Sequence, residues 1–264
     1  MPEHEPGYVL DPNWEHERRR LALLEQVWDG LSTARLAALG VAPGARCLEI
    51  GGGGGSIARW LCQEVGEAGH VTAVDLDTRW LDQLAEPNLT VVQHDLTETE
   101  APFEAASFDF IHARAVFEHI AARDAVLEGV CRWLAPGGWL SVSDCVSFSV
   151  ESTPNPVYRT AMRAWVESLR KTGTDYEWGR CLPAHLQRQG LEAIGGEAHV
   201  AVLRGGSPVA EFWSLSLELL RPRITEMQLA TGEEIDAART LLADPEFWDL
   251  SPAFVAAWGR RAAS

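Results

Sequence analysis

Five consecutive glycines, Gly51 to Gly55, follow a short apolar segment, Arg46-Cys-Leu-Glu-Ile50, and precede an amphipathic one, Ser56-Ile-Ala-Arg-Trp-Leu-Cys-Gln-Glu-Val65. In isolation such a run is flexible coil. Between a strand and a helix its role is narrower. Glycine permits positive φ and lets the backbone approach a ligand without a Cβ in the way, and the helix that follows opens with unsatisfied N–H groups. The run therefore predicts a ligand loop at a strand end. It does not name the ligand. In the dinucleotide fingerprint GxGxxG the third glycine falls on Ser56 in the first register, and other registers are open. Asp75, at the end of the next apolar segment, suits ribose hydroxyls or, alternatively, the cap of a following helix.

The alternation around the run sets the fold class. A helix is expected from about Asn13 to Leu39, where Leu21, Leu24, Val27, Trp28, Leu31 and Leu36 recur at helical spacing. Strands are expected at 46–50, 70–75, 89–94, 108–113 and 139–144, and helices at 56–65, 78–85 and 123–134, with a turn at Ala135-Pro-Gly-Gly138. Strands alternating with helices imply right-handed crossovers and a parallel sheet covered on both faces, an α/β fold. Beyond Asp144 the pattern loosens. Helices are expected near 158–170, 183–189 and 208–242, a strand within 190–203 and a closing strand at 252–260. There is no clean linker, so 1–264 reads as a single domain: a helical cap at 1–40, a cofactor core at 41–145 and a substrate-facing remainder at 146–264.

Charge and composition exclude some partners. The formal net charge is −16, a surface that repels phosphate backbones, so no nucleic-acid partner is expected. No apolar run reaches the roughly 20 residues that span a bilayer, and the N-terminal segment has no apolar signal region; a cytoplasmic protein without a membrane partner is expected. The five cysteines have no CxxC spacing, so no metal site is expected, and most of them read as small buried apolar residues.

Several segments together resemble the class I S-adenosylmethionine (SAM)-dependent methyltransferases. Cys47-Leu-Glu-Ile-Gly-Gly-Gly-Gly-Gly55 is similar to their first motif, with Glu49 at the acid and Gly51, Gly53 and Gly55 at the glycines. Val74-Asp-Leu-Asp77 is similar to their acidic second motif, and His94-Asp95-Leu96 to the pair after the third strand. Phe108 to Arg114, Phe117-Glu-His-Ile120 and Leu134 to Leu140 are similar to the segments around the fourth and fifth strands. The resemblance covers about residues 40–145. It implies a Rossmann-like, doubly wound, mostly parallel seven-stranded sheet with N-terminal helices and a helical lid or insertion. It also implies SAM as cofactor and S-adenosylhomocysteine as product. The cofactor residues it implies are Glu49, Gly51, Gly53, Asp75, Leu76, Asp95, Leu96, His112 and Arg114, with Gly52 and Gly54 leaving room. The N-terminal helix and the tail resemble the actinobacterial-type branch of small-molecule, natural-product methyltransferases, in which N-terminal residues lie over the cofactor. Tyr8 and Trp14 are candidates for that cover, core packing being the other reading of Trp14. The Asp/Asn-Pro-Pro-aromatic motif of nucleic-acid amino-methylating enzymes is absent; Asp109 is followed by Phe-Ile-His.

Methyl transfer chiefly requires an acceptor held in line and water excluded; a general base helps a hydroxyl or an ammonium acceptor. His119 and Asp144 are the candidate catalytic groups, with a structural histidine and a turn-capping aspartate as the alternatives. Tyr158, Trp165 and Trp178, among eleven tryptophans, are candidates to line a pocket for a small, apolar or aromatic molecule of secondary metabolism; a helical lid or a homodimer interface is the alternative use. Three other functions stay open on sequence grounds: a SAM-binding enzyme of a cyclising, non-methylating class, an NAD-binding oxidoreductase, and a non-catalytic SAM-binding regulator.

Overall fold

The computed structural model describes residues 13–98 and 102–263. The elements in chain order are α1 (Glu17–Leu39), β1 (Arg46–Ile50), α2 (Ser56–Val65), β2 (His70–Asp75), β3 (Leu89–Gln93), β4 (Phe108–Arg114), α3 (Arg123–Trp133), β5 (Leu134–Val146), α4 (Phe148–Ser152), α5 (Pro156–Arg170), α6 (Leu182–Arg188), β6 (Glu192–Arg204), α7 (Pro208–Glu226), α8 (Gly232–Ala243) and β7 (Trp248–Arg260). One seven-stranded sheet has the order β3-β2-β1-β4-β5-β7-β6, with the β3-β2, β2-β1, β1-β4 and β4-β5 pairs parallel. The expected Rossmann-like sheet is thus present.

The chain divides into two compact units. One comprises, as far as described, 28–144, 179–197 and 255–263. In it β1, β2 and β4 are buried almost end to end, as parallel strands covered on both faces must be. Cys47, Val71 and Phe110 pack with Ile57, Leu61, Cys62 and Val65 of α2 and with Leu36 of α1. Asn88 closes α2 by donating to the carbonyls of Cys62 and Gly66 at 3.0 and 2.9 Å. Burial pushes the thiols of Cys47 and Cys131 up to about 12, so they stay neutral and behave as apolar groups. The other unit comprises 13–27, 145–178 and 198–254. There α5, α7 and α8 pack pairwise. Trp165 stacks on Tyr176 with centroids 4.7 Å apart and meets Trp213 edge-on at 5.1 Å.

Several elements differ from the sequence expectation. The helix at 78–85 is only a 3-10 turn, Leu81–Gln83. Asp77 accepts the Arg79 N–H and the Thr78 hydroxyl donates to Asp82, local bonds that compete with a helical ladder. The Ala135-Pro-Gly-Gly138 turn is a bulge inside β5, where the register with β4 shifts between Phe108 and Phe110. Glycine is needed there: a Cβ on Gly138 would lie 2.9 to 3.1 Å from three carbonyl oxygens. The helical section 208–242 is two helices. Gln228, at φ 56°, ends the first, and the capping box of Thr231 with Glu234 starts the second. The closing strand starts at Trp248, four residues before the expected Pro252.

Candidate cofactor and active site

The carboxyl ends of β1, β2 and β3 carry the first group of site residues. Gly51, Gly53 and Gly55 have φ of 68°, 51° and 90°, conformations that side chains with a Cβ rarely adopt. At Gly51, Gly52 and Gly55 the space a Cβ would take is filled by the protein itself. A Cβ on Gly51 would lie 2.3 Å from Val116 Cγ2, on Gly52 2.9 Å from Leu81 Cδ2, and on Gly55 2.7 Å from Leu84 Cδ1. Gly52 therefore does more than leave room for a ligand; it seats Leu81.

Asp75 holds the run from the neighbouring strand. Its Oδ2 accepts the Gly53 N–H at 2.9 Å and its Oδ1 the Asp77 N–H at 3.1 Å. Burial raises its pKa above the ordinary carboxylate value, against the lowering effect of the N–H groups of Gly53, Asp77 and Leu76. A carboxylate offers about four acceptor positions, so these three N–H groups leave room for a ribose hydroxyl. Beside it Leu76 is 44% exposed, a large apolar surface in the open. Past the end of β3, Asp95 accepts the Thr97 N–H and hydroxyl through Oδ1 at 2.8 and 2.7 Å, bonds that do not occupy its Oδ2. Leu96 follows, half-buried. Two carboxylates with spare acceptor capacity and an exposed leucine between them suit an adenosine, so these residues fit the implied cofactor.

A polar row crosses the sheet one step below. Glu49 of β1, His112 of β4 and Ser141 of β5 are register partners. In a parallel sheet such partners point to the same face. Glu49 Oε2 lies 2.7 Å from His112 Nδ1, and both side chains are buried. His112 Nε2, Ser141 Oγ and Arg114 Nη1 are buried and find no hydrogen-bond partner among the described residues. Arg114 Nη2 donates to Asp29 of α1 at 2.8 Å. Buried polar atoms without partners are uncommon and need a ligand or water to complete them.

The candidate catalytic groups lie where β4 and β5 end. Asp144 is wholly buried. Its Oδ1 and Oδ2 accept the N–H groups of Val116 and Glu118, each at 3.1 Å. These are the bonds of a turn cap, the alternative the sequence holds open. Burial, and next the Glu118 charge, push its pKa well above the usual carboxylate range. His119 Nε2 lies 3.2 Å from Glu118 Oε1.

The remaining candidates are in the second unit. Trp14 is half-buried, with its ring edge-on to His16 at 5.1 Å. Tyr158 is wholly buried, and its hydroxyl donates to the Leu250 carbonyl at 3.4 Å. Trp165 and Trp178 are buried. Tyr8 lies outside the described residues. Sequence reasoning missed Ser141, Glu118 and Asp29. The alternation Trp139, Ser141, Ser143 is a signal for the first; Glu118 reads as any surface acid, and the Asp29–Arg114 contact spans 85 positions.

Residues 48–142 match the family model described as "Methyltransferase domain". A ubiquinone/menaquinone biosynthesis C-methyltransferase, UbiE, of Laribacter hongkongensis is 31% identical over 140 residues, covering 51% of this chain and 55% of that protein. Methyltransferase str2 of Strobilurus tenacellus is 32% identical over 144 residues, covering 54% of this chain and 51% of that one. The chain thus spans about half the length of these curated relatives. Among solved structures, Haemonchus contortus phosphoethanolamine N-methyltransferase 2 in complex with SAM aligns at TM-score 0.61 and 19% identity, over 99% of this chain and 61% of that one, a likeness of fold. With the motifs, the sheet order and the loop geometry in agreement, residues 48–142 are similar to the class I SAM-dependent methyltransferases.

Proposed function

We propose that the protein transfers a methyl group from SAM to a small, apolar or aromatic molecule. The observation that carries this reading is the joining of β1 and β2 at their carboxyl ends: the glycine run is latched by Gly53 N–H to Asp75 Oδ2 at 2.9 Å, with Asp95 past the end of the next strand. In this reading Asp75 holds the ribose hydroxyls and Leu76 covers one adenine face. Asp95 accepts from the adenine amine, and the Leu96 N–H donates to the ring. The backbone of Gly51 and Gly53 adjoins the sugar and the amino-acid chain. Glu49, His112 and Arg114 serve the amino-acid end, which His112 Nε2 and Arg114 Nη1, without a partner among the described residues, support. Tyr8 and Trp14 cover the cofactor. When bound, SAM supplies an electrophilic methyl group on a sulfonium.

The acceptor is proposed to meet Tyr158, Trp165 and Trp178, with His119 taking its proton. The curated relatives named as ubiquinone/menaquinone biosynthesis C-methyltransferases make hydroquinones the first class to try; a phenol or amine of secondary metabolism is the wider class. The net charge of −16 supports a small molecule over a nucleic acid. The test incubates the protein with methyl-labelled SAM and a panel of hydroquinones, phenols and amines. S-adenosylhomocysteine should form together with a product heavier by one methyl group. A product formed without S-adenosylhomocysteine would point to the cyclising class, and no SAM consumption with any acceptor would count against the proposal.

A further inference from the structure

Three side chains beside the glycine run are buried yet incomplete. His112 Nε2, Ser141 Oγ and Arg114 Nη1 have no hydrogen-bond partner among the described residues, and exposure is 1% at His112, 0% at Ser141 and 8% for the Arg114 side chain. Folding gains nothing from such atoms, because each loses water and receives no bond in exchange. The strand register groups them. Glu49, His112 and Ser141 are partners across β1, β4 and β5, and Arg114 comes two residues after His112 on the same face. Ile50, the last residue before the run, is the partner of Ala113, so Arg114 comes level with Gly51. The hydrogen-bonding roles are fixed too. Glu49 Oε2 lies 2.7 Å from His112 Nδ1. An ionised carboxylate only accepts, so Nδ1 carries the hydrogen and Nε2 is left as an acceptor. What completes Nε2 brings an N–H or O–H. Arg114 is the opposite case: Asp29 of α1 takes Nη2 at 2.8 Å, and Nη1 remains a charged donor that suits an anion. The two residues stand about 6.6 Å apart along β4. An ammonium, one carbon and a carboxylate fill such a span, with a hydrogen bond of about 2.9 Å at either end. Ser141, beside His112, gives or accepts.

We propose that this row receives an α-amino-acid zwitterion with fixed polarity: His112 Nε2 and Ser141 Oγ take the ammonium, Arg114 Nη1 takes the carboxylate, and Asp29 is the positioning residue that aims Arg114. The inference rests on the SAM reading for the identity of the ligand, which carries such an end, and deepens it by adding Ser141 and Asp29 to the residues that select that end. It also gives the ligand one direction in the site, with the carboxylate toward α1. The three atoms are shut from solvent in the unliganded chain, so binding includes an opening there, at the tie between Arg114 and Asp29.

The test is calorimetric titration of the full chain with three ligands: S-adenosylhomocysteine, its decarboxylated analogue, and 5′-methylthioadenosine, which has neither charged group. In the unaltered chain the first should bind tightest and the last weakest, with about tenfold or more between steps, as hydrogen bonds to charged groups usually contribute. Ser141→Ala should weaken the first two ligands and leave the third alone. Arg114→Gln and, more mildly, Asp29→Asn should weaken only the first. Ser141→Ala should also leave the unfolding midpoint of the unliganded chain no lower, since it removes an unpaired hydroxyl. The proposal is overturned by equal affinity for the three ligands in the unaltered chain, by a Ser141→Ala chain with unchanged affinities or a lowered midpoint, or by Arg114→Gln weakening the decarboxylated analogue as much as S-adenosylhomocysteine. If Arg114→Gln or Asp29→Asn fails to fold, the unaltered chain and Ser141→Ala decide. A chain that binds none of the three contradicts the cofactor reading itself, whereas equal binding of all three contradicts the row alone.

Discussion

Gly51 and Gly52 show how much of a ligand loop is fixed by what lies behind it. At φ 68° and with Val116 Cγ2 2.3 Å from its missing Cβ, Gly51 has no room for a methyl group on either count. Gly51→Ala should lose S-adenosylhomocysteine binding by more than tenfold in calorimetry. Adding Val116→Ala should recover only part of that loss, because the backbone strain remains. Gly52 has ordinary backbone, and its obstacle is the Leu81 side chain at 2.9 Å; Gly52→Ala with Leu81→Ala should therefore bind better than Gly52→Ala alone. Asp144 makes a prediction of the opposite kind. Burial, and next the Glu118 charge, hold its pKa well above the usual carboxylate range. A raised folded-state pKa contributes stability that is full below the unfolded value and is lost as pH rises through the folded one. Thermal unfolding followed from about pH 5 to pH 9 should show a falling midpoint, and Asp144→Asn, which cannot ionise, should flatten that fall. An unchanged slope in the variant would show that Asp144 ionises freely in the native state.

At the scale of elements, the sequence was most legible where one signal met no competitor. β1, α2 and β2 have the expected bounds because a buried apolar run, a glycine stop and an amphipathic face all agree there. It was least legible where side chains bond locally or where a distant residue decides. Asp77 and Thr78 turn an expected helix into a 3-10 turn, and carbonyls of Phe108 and Asp109 make Gly138 part of a strand rather than the end of a turn. The candidate site divides the same way. Asp75, Asp95 and the glycines are adjacent in pattern to their strands and could be named in advance. Ser141 and Glu118 acquire meaning only from His112 and Asp144, which reach them through the register of the sheet and the closure of a turn. In the helical elements the large effect belongs to the aromatic packing. Trp165→Ala should cost about 3–5 kcal/mol in denaturant unfolding, the usual range for deleting a buried aromatic, since it empties the space between Tyr176 and Trp213. Trp165→Phe should cost far less, and equal losses for the two would argue that the ring is not packed as described.

For the molecule as a whole, the central claim is that the loop, Asp75 and Asp95 form a SAM site and not a dinucleotide site. The sheet order alone does not separate the two, because both ligands carry an adenosine and both use a glycine loop after the first strand. Binding does. A ligand that binds only the native state stabilises it by about 2.7 kcal/mol at a hundredfold excess over Kd. The most direct measurement is therefore calorimetric titration of the full chain with SAM, S-adenosylhomocysteine and NAD under one set of conditions, with thermal unfolding read in parallel. SAM and S-adenosylhomocysteine should each bind at one site per chain and raise the unfolding midpoint, with Asp75→Ala weakening both, while NAD gives no heat and no shift. Binding and stabilisation by NAD, with neither SAM nor S-adenosylhomocysteine bound, would contradict the account.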